Sequence, residues 1–234
     1  MKILVIDQCS KSKSHSETAP VFGLDDIAAQ SREELLAQQG VPAQPARKLY
    51  SGRQQRYISN AVDALRSTGH AVDRYFISAG FGVVDEATKL PPYSVTFADM
   101  VDKEIEQRAQ ELSLSESVYR LVTDQTYDVV FFALGRDYML GLEMEEILDA
   151  IPVKSIAVLF NQEVFEDRFD HVVSLPARTE QAQAQGTIVV ALKGVYLQNF
   201  ADHLGQEILV SEPDDVRQYC MQEVTTQTEF DQYG

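Results

Sequence analysis

Short polar clusters in this chain hold the residue types from which binding and catalytic sites are made. Cys9-Ser10-Lys11-Ser12-Lys13 sets a thiol, two hydroxyls and two cations directly behind an apolar run. Ser78-Ala79-Gly80-Phe81-Gly82 combines a hydroxyl, an aromatic ring and two glycines, with Tyr93 following a double proline. Gly135-Arg136-Asp137-Tyr138 adds a charge pair and a phenol. Serines interleaved with lysines suit an anion or phosphate as well as they suit a solvated loop. Lysines beside Cys9 would favour its thiolate as a nucleophile, although a small buried residue at a strand end is the commoner role. Phe81 or Tyr93 offers a face for a flat base, or else belongs to the core. Asp7 and Asp137 are the carboxylates that could steady a developing positive charge, while Arg136 and Asp137 could equally pair with each other.

The elements that would position these clusters are legible as apolar runs. Lys2-Ile3-Leu4-Val5-Ile6-Asp7 reads as a strand buried on both faces, as do the runs over 128–134 and 154–160. The stretch 75–97 begins as a further strand (74–79), breaks at Gly80-Phe81-Gly82 and returns through Pro91-Pro92-Tyr93. Glycine permits positive φ or close approach of backbone to a ligand, and the prolines stiffen the return, so this stretch reads as the wall of a site. Residues 172–175 form a weaker strand. Residues 187–192 are a sixth strand candidate or an extended lead-in to a helix over 193–204. Helices are expected over 25–39, over about 53–68 with Tyr57, Ile58, Ala61, Val62 and Leu65 on one face, and along a stripe of Phe97, Met100, Val101, Ile105 and Leu112. A further helix starts at Ser115 or Ser117, and another runs from 138 to about 150. The segment 180–185 is a helix or loop, and 213–224 is amphipathic.

Strands alternating with helices imply an α/β fold, a three-layer sandwich with a mostly parallel central sheet. The chain reads as a single domain over 1–234, with 16–46 as a surface insertion and 225–234 as a frayed tail. In such sheets, ligands bind beyond the carboxyl ends of the strands, and the three clusters and Asn161-Gln162 all fall there. The opposite edge would hold turns of less varied chemistry.

Composition narrows the classes. The chain has 234 residues and a net charge of −16, with a pI of about 4.6. Such acidity disfavours nucleic acid and anionic membrane unless a local basic surface intervenes, and Arg47, Lys48, Arg53 and Arg56 supply a candidate. Two cysteines and four scattered histidines show no metal-ligand spacing, and no cofactor motif is present. GxSxG, GxGxxG and the phosphate-loop pattern GxxxxGK[ST] are all absent. With no signal peptide and no run of about 20 apolar residues, a cytoplasmic protein without a membrane span is expected. Oligomeric state is left open.

Taken together, the N-terminal strand with its Ser/Lys loop, Leu49-Tyr50-Ser51-Gly52, Ile77-Ser78-Ala79-Gly80-Phe81-Gly82-Val83-Val84 with Pro92-Tyr93, and Gly135 with Tyr138 resemble the YaaA-like proteins and a related bacterial and phage domain family. The resemblance covers about residues 1–140. It implies a fold similar to uracil-DNA glycosylases, a link to peroxide stress and DNA binding, and kinship with domains found beside base-modification enzymes. Related members often carry a lysine after Ser-Ala, where this chain has Gly80. The expected ligand is a nucleotide or nucleobase-containing small molecule. Ser10, Lys11, Lys13, Tyr50, Gly52, Arg53, Ser78, Gly80, Phe81, Gly82, Tyr93, Gly135, Arg136 and Tyr138 are the candidates to bind it, and Asp7, Cys9 and Asp137 the candidates for catalysis. An enzyme of N-glycosidic cleavage or base transfer is the leading expectation. The alternatives are a non-enzymatic YaaA-like stress or nucleic-acid-binding protein, and a nucleotide-sensing module.

Overall fold

The computed structural model describes residues 1–206 and 210–223. The eight strands among these residues are β1 (Lys2–Gln8), β2 (Gln44–Pro45), β3 (Ala71–Ser78), β4 (Gly82–Asp85), β5 (Lys89–Leu90), β6 (Val129–Ala133), β7 (Ile156–Phe160) and β8 (Val172–Leu175). Six of them form one sheet in the order β4-β3-β1-β6-β7-β8, and β2 pairs with β5 in a small ribbon. Every pairing in the large sheet is parallel except β3 with β4. This is an α/β fold, and β1 lies at its centre because its apolar run can be buried on both faces.

Alternation along β1 divides the interior. Leu4 and Ile6 face one core, shared with Phe76, Phe132 and Leu159, and Ile3 and Val5 face the other, shared with Phe131 and Val158. The first core is covered by α5 (Asp102–Glu111), α6 (Leu114–Thr123) and α8 (Met144–Ala150), through Ile105, Val118 and Leu148. The second is covered by α4 (Arg53–Ser67), α11 (Val189–Leu204) and α12 (Pro213–Met221), through Ile58, Leu65, Phe200 and Val216. The shorter helices are α1 (Leu24–Ala29), α2 (Arg32–Leu36), α3 (Ala46–Leu49), α7 (Arg136–Leu140), α9 (Glu163–Glu166) and α10 (Thr179–Ala184).

Several elements differ from the periodicity reading. The helix expected over 25–39 is two helices, because Ser31 and Glu34 form a reciprocal capping box that starts α2 afresh. The 97–112 stripe is a single turn of 3-10 helix at Phe97–Asp99 followed by α5. Phe97 is drawn into the core, whereas Val101 caps α5 and is 65% exposed. The helix expected from 138 to 150 breaks at 141–143, where Gly141 lies against Ala109 and Ser115 Oγ accepts the Glu143 N–H at 3.0 Å. Residues 187–192 form no strand. Helix α11 already begins at Val189, as the Thr187 N–H closes a turn onto the Ala182 carbonyl at 2.8 Å. The sheet's sixth strand is instead β4, reached through the three-residue turn 79–81, with Gly82 at φ +74 where L side chains are strained.

The 16–46 segment is fastened to the domain at Phe22, which bridges to Tyr93, and at β2, and it buries Leu35 completely. The expected frayed tail at 225–234 lies outside the described residues. Among those residues no helix is long and apolar enough to cross a membrane.

Candidate functional site

The sheet order places a topological switch between β1 and β6. From β1 the chain crosses through α4 to β3 on one side, whereas β6 leads to β7 on the other. The loops leaving these two strands therefore part at their carboxyl ends and leave a crevice, which is where open α/β sheets bind ligands. Here a cleft of about 300 Å³ is lined by Ser10, Arg53, Gln54, Thr96, Asp137 and Val190, with Gln8, Cys9, Lys11 and Gly135 also contributing.

Local chemistry shapes each wall. Gln8 reaches across the switch and accepts the Gly135 N–H through Oε1, tying the two loops together. Ser10 Oγ and the Ser51 N–H both donate to the Ser12 carbonyl, which brings the β1 loop against the start of α4. Gly52 makes that approach feasible: a Cβ there would lie 2.9 Å from the Ser10 Cβ and would strike the Gln55 Oε1. Helix α4 opens directly after Gly52 with no side chain capping it, and its first internal bond runs from the Arg56 N–H to the Gly52 carbonyl. The amides of Arg53, Gln54 and Gln55 thus end a 15-residue helix at the cleft. Unsatisfied N–H groups and the positive end of the helix dipole favour an anion there.

Beneath the cleft lies a polar network that the protein closes almost entirely by itself. Asp7 is fully buried, and its Oδ1 accepts from the Gln8 N–H (2.8 Å), Gln54 Nε2 (2.8 Å) and Gln55 Nε2 (3.3 Å). Its Oδ2 pairs with Arg74 Nη2 at 2.8 Å. Burying a carboxylate is tolerable only with such a complete donor set. Arg74 is held in turn by Ser59 Oγ at 2.8 Å and lies over the Phe76 ring. Two buried atoms of this network have no hydrogen-bond partner among the described residues, Arg74 Nε and Gln54 Oε1. Gln54 uses Nε2 on Asp7 and on the Ala133 carbonyl (2.9 Å), which leaves its buried Oε1 without a partner.

A second buried network adjoins the first. Tyr50 and Tyr93 share a hydrogen bond at 2.7 Å, Tyr93 and Ser78 another at 2.8 Å, and Ser78 Oγ accepts the N–H groups of Gly80 and Phe81. Cys9 Sγ lies 3.0 Å from the Tyr138 hydroxyl. Burial raises the pKa of Tyr50, Tyr93 and Tyr138 well above the ordinary phenol value, and Cys9 adds to each shift. Lys13 lies over the Tyr93 ring at 4.2 Å and donates to the Ser10 and Val95 carbonyls at 3.0 and 3.4 Å. Burial lowers its pKa, against the opposing pull of Cys9 and Asp99.

The sequence candidates therefore separate into groups. The structure gathers Cys9, Ser10, Lys11, Gly52, Arg53, Gly135, Asp137 and Tyr138 around the cleft. Asp7 lies below it with both carboxylate oxygens occupied. Lys13, Tyr50, Ser78, Gly80, Phe81, Gly82 and Tyr93 do not line it. The 78–82 turn packs instead against α5, where Arg108 donates to the Ala79 and Gly80 carbonyls. The Phe81 ring meets Tyr93 edge-on at 5.0 Å, so Tyr93 presents no free face for stacking. Arg136 points outward to Asp102 at 2.6 Å. Lys11 pairs with Asp99 at 2.7 Å on the rim.

Gln8, Gln54, Gln55, Thr96 and Val190 were missed as site residues. Gln54 did leave a signal in the sequence, since it occupies the phase of Ile58, Ala61 and Leu65, where an amphipathic helix calls for an apolar side chain.

A wider groove of about 940 Å³ lies between α8 and α9, over Met139, Leu140, Phe165 and Phe169. Its arginines are committed to Glu145 and Asp102, and the switch-point cleft is the better site on chemical grounds. Among the described residues, no group of three or more His, Cys, Asp or Glu side chains could hold a metal ion. Compared with models of known protein families and with curated proteins, the chain matches none.

Proposed function

We propose that this chain is a nucleotide-recognising enzyme that binds a nucleoside phosphate in the switch-point cleft and cleaves or exchanges its N-glycosidic bond. One observation carries the reading: the open end of α4 with Arg53, and the Ser10 loop, face the half-exposed carboxylate of Asp137 across a cleft of about 300 Å³. The phosphate takes the amides of 53–55, with Arg53 and Lys11 beside it.

In the hydrolytic form of the reaction, the bond from the sugar's anomeric carbon to the base nitrogen breaks. Water then adds to that carbon, and the base leaves with a proton. Asp137 is the carboxylate placed to steady the positive charge developing on the sugar, since Asp7 has no oxygen to spare. The resemblance to YaaA-like proteins, with its uracil-DNA-glycosylase-like fold, points in the same direction. Duplex nucleic acid is less favoured as a ligand, because Arg47 of the basic stretch is engaged by Asp63 and Glu86.

The test is mass spectrometry of small molecules that co-purify with the chain, followed by calorimetry with nucleoside monophosphates. Arg53→Ala should weaken monophosphate binding by about tenfold or more, the equivalent of one charge-assisted hydrogen bond. Equal affinity in wild type and Arg53→Ala would remove the phosphate assignment.

A further inference from the structure

Nearly every arginine in this acidic chain is matched to a carboxylate. Ten of the twelve (Arg32, Arg47, Arg66, Arg74, Arg108, Arg120, Arg136, Arg168, Arg178 and Arg217) form ion pairs among the described residues. The two exceptions, Arg53 and Arg56, are neighbours on the first turn of α4, and both are exposed. In a chain with 36 acidic and 20 basic residues, two adjacent guanidinium groups without an ion-pair partner among the described residues stand apart from the pattern of the rest.

They border a depression of about 530 Å³ between α4 and the loop joining α10 to α11. Tyr57, Asn60 and Thr187 also line it, and no side-chain hydrogen bond among the described residues engages any of these three. Gly186 turns the loop at φ +58, and the bond from Thr187 to Ala182 fixes it against α10. Five polar side chains thus surround one hollow with their hydrogen-bonding capacity unspent. Arg53 lines this hollow and the switch-point cleft alike, so the two adjoin through it.

We infer that the hollow is a second anion subsite for the ligand of the cleft, and that this ligand is a nucleoside di- or triphosphate. The inner phosphate lies at the N-terminal end of α4, and the next is held between Arg53 and Arg56, with Asn60, Tyr57 and Thr187 as neutral donors. Guanidinium groups suit this task because their fixed fork meets two phosphate oxygens at once. The inference rests on the reading of the cleft as a nucleotide site, and Arg56 lies outside that cleft's lining.

Calorimetry on the full chain, with the mono- and diphosphates of adenosine, guanosine, cytidine and uridine and with inorganic pyrophosphate, tests it. At least one diphosphate should bind about tenfold or more tighter than its monophosphate, as one further charge-assisted contact provides. Arg56→Ala, an exposed helical position where alanine folds well, should erase that difference and leave monophosphate affinity unchanged. Arg56→Lys should restore only part of it, and Asn60→Ala should reduce it. Equal binding of mono- and diphosphate by the wild type would overturn the inference, as would an Arg56→Ala variant that weakens both alike. If no nucleotide binds, the nucleotide reading of the cleft falls, and pyrophosphate decides the subsite alone. Pyrophosphate binding lost in Arg56→Ala would keep the subsite, and no pyrophosphate binding would remove it.

Discussion

Arg74 on β3 and Asp7 on β1 form an ion pair at 2.8 Å in which neither side chain has any exposed surface. The pair fixes the carboxyl end of β1 beside β3 and, through Gln54 and Gln55, sets the first turn of α4 against both. Removing one member leaves the other charge buried and unpaired. Asp7→Asn should therefore cost about 3–5 kcal/mol of stability, read from urea unfolding. Replacing both residues by apolar ones of similar volume removes the stranded charge but leaves the Gln8, Gln54 and Gln55 donors without their Asp7 acceptor, so it should recover only part of that loss. A single variant with wild-type stability would show that the pair carries no such weight.

The glycines divide by what surrounds them. At Gly80 a Cβ would meet the Tyr93 ring at 2.9 Å, and Gly82 has φ +74, so both belong to the β3–β4 turn. Gly80→Ala and Gly82→Ala should each cost about 1 kcal/mol or more in stability and leave ligand affinity in the folded protein intact. Gly52→Ala should weaken binding in protein that still folds, because it pushes the Ser10 loop off the start of α4. Melting temperature and calorimetric affinity, measured together on the three variants, separate the two roles. Lost affinity in Gly82→Ala at native stability would return that turn to the site.

How far the sequence foretells this arrangement depends on whether a signal is local. The inner strands β1, β6 and β7 are legible because burial on both faces demands an unbroken apolar run. The antiparallel edge strand β4 is four residues long and follows a glycine turn, so it reads as loop. The start of α11 is hidden because Ile188, Val189 and Val190 favour strands by type. They are nevertheless exposed at the end of a helix whose buried residues lie further on. The Ser10 loop and Gly135 to Asp137 can be placed in the cleft because each directly follows a strand that meets the switch. Phe81 and Tyr93 cannot be placed that way. Their direction is set by bonds from the Tyr93 hydroxyl to Tyr50 and Ser78, residues 43 and 15 positions away.

The buried tyrosines predict an alkaline limit to stability. In the folded chain Tyr50, Tyr93 and Tyr138 ionise well above the phenol value of 10.0, chiefly through burial. The unfolded chain releases these protons first, so the stability they contribute is complete below that value and is lost as pH rises through the folded pKa values. Each group adds a slope of about 1.4 kcal/mol per pH unit above 10. Lys13 acts in the opposite sense. With its folded pKa lowered by burial, stability rises with pH until the unfolded lysine deprotonates near 10.5, and its effect then levels off. Urea unfolding between about pH 8 and 11 should therefore show a steep fall at the upper end, with Tyr138→Phe shallower by one group. An unchanged slope in that variant would mean that Tyr138 ionises in the folded protein as it does in water.

Asp137 provides the sharpest test of chemistry against mere binding. It is the half-exposed carboxylate on the cleft wall, and its nearest cation, Arg136, lies at 3.5 Å and is itself drawn toward Asp102. Asparagine has the same shape and keeps one acceptor oxygen, so nucleotide affinity in Asp137→Asn should stay within about twofold, a fraction of one neutral hydrogen bond. A charge that matters only when the sugar becomes cationic should instead be felt in turnover. Loss of one such electrostatic group lowers turnover on the order of 100- to 1,000-fold. Base release from the nucleotide that co-purifies, followed by chromatography, gives the rate, and calorimetry on the same variant gives the affinity. Unchanged base release in Asp137→Asn would strip the residue of its catalytic role. Affinity and turnover falling together would make it a binding residue.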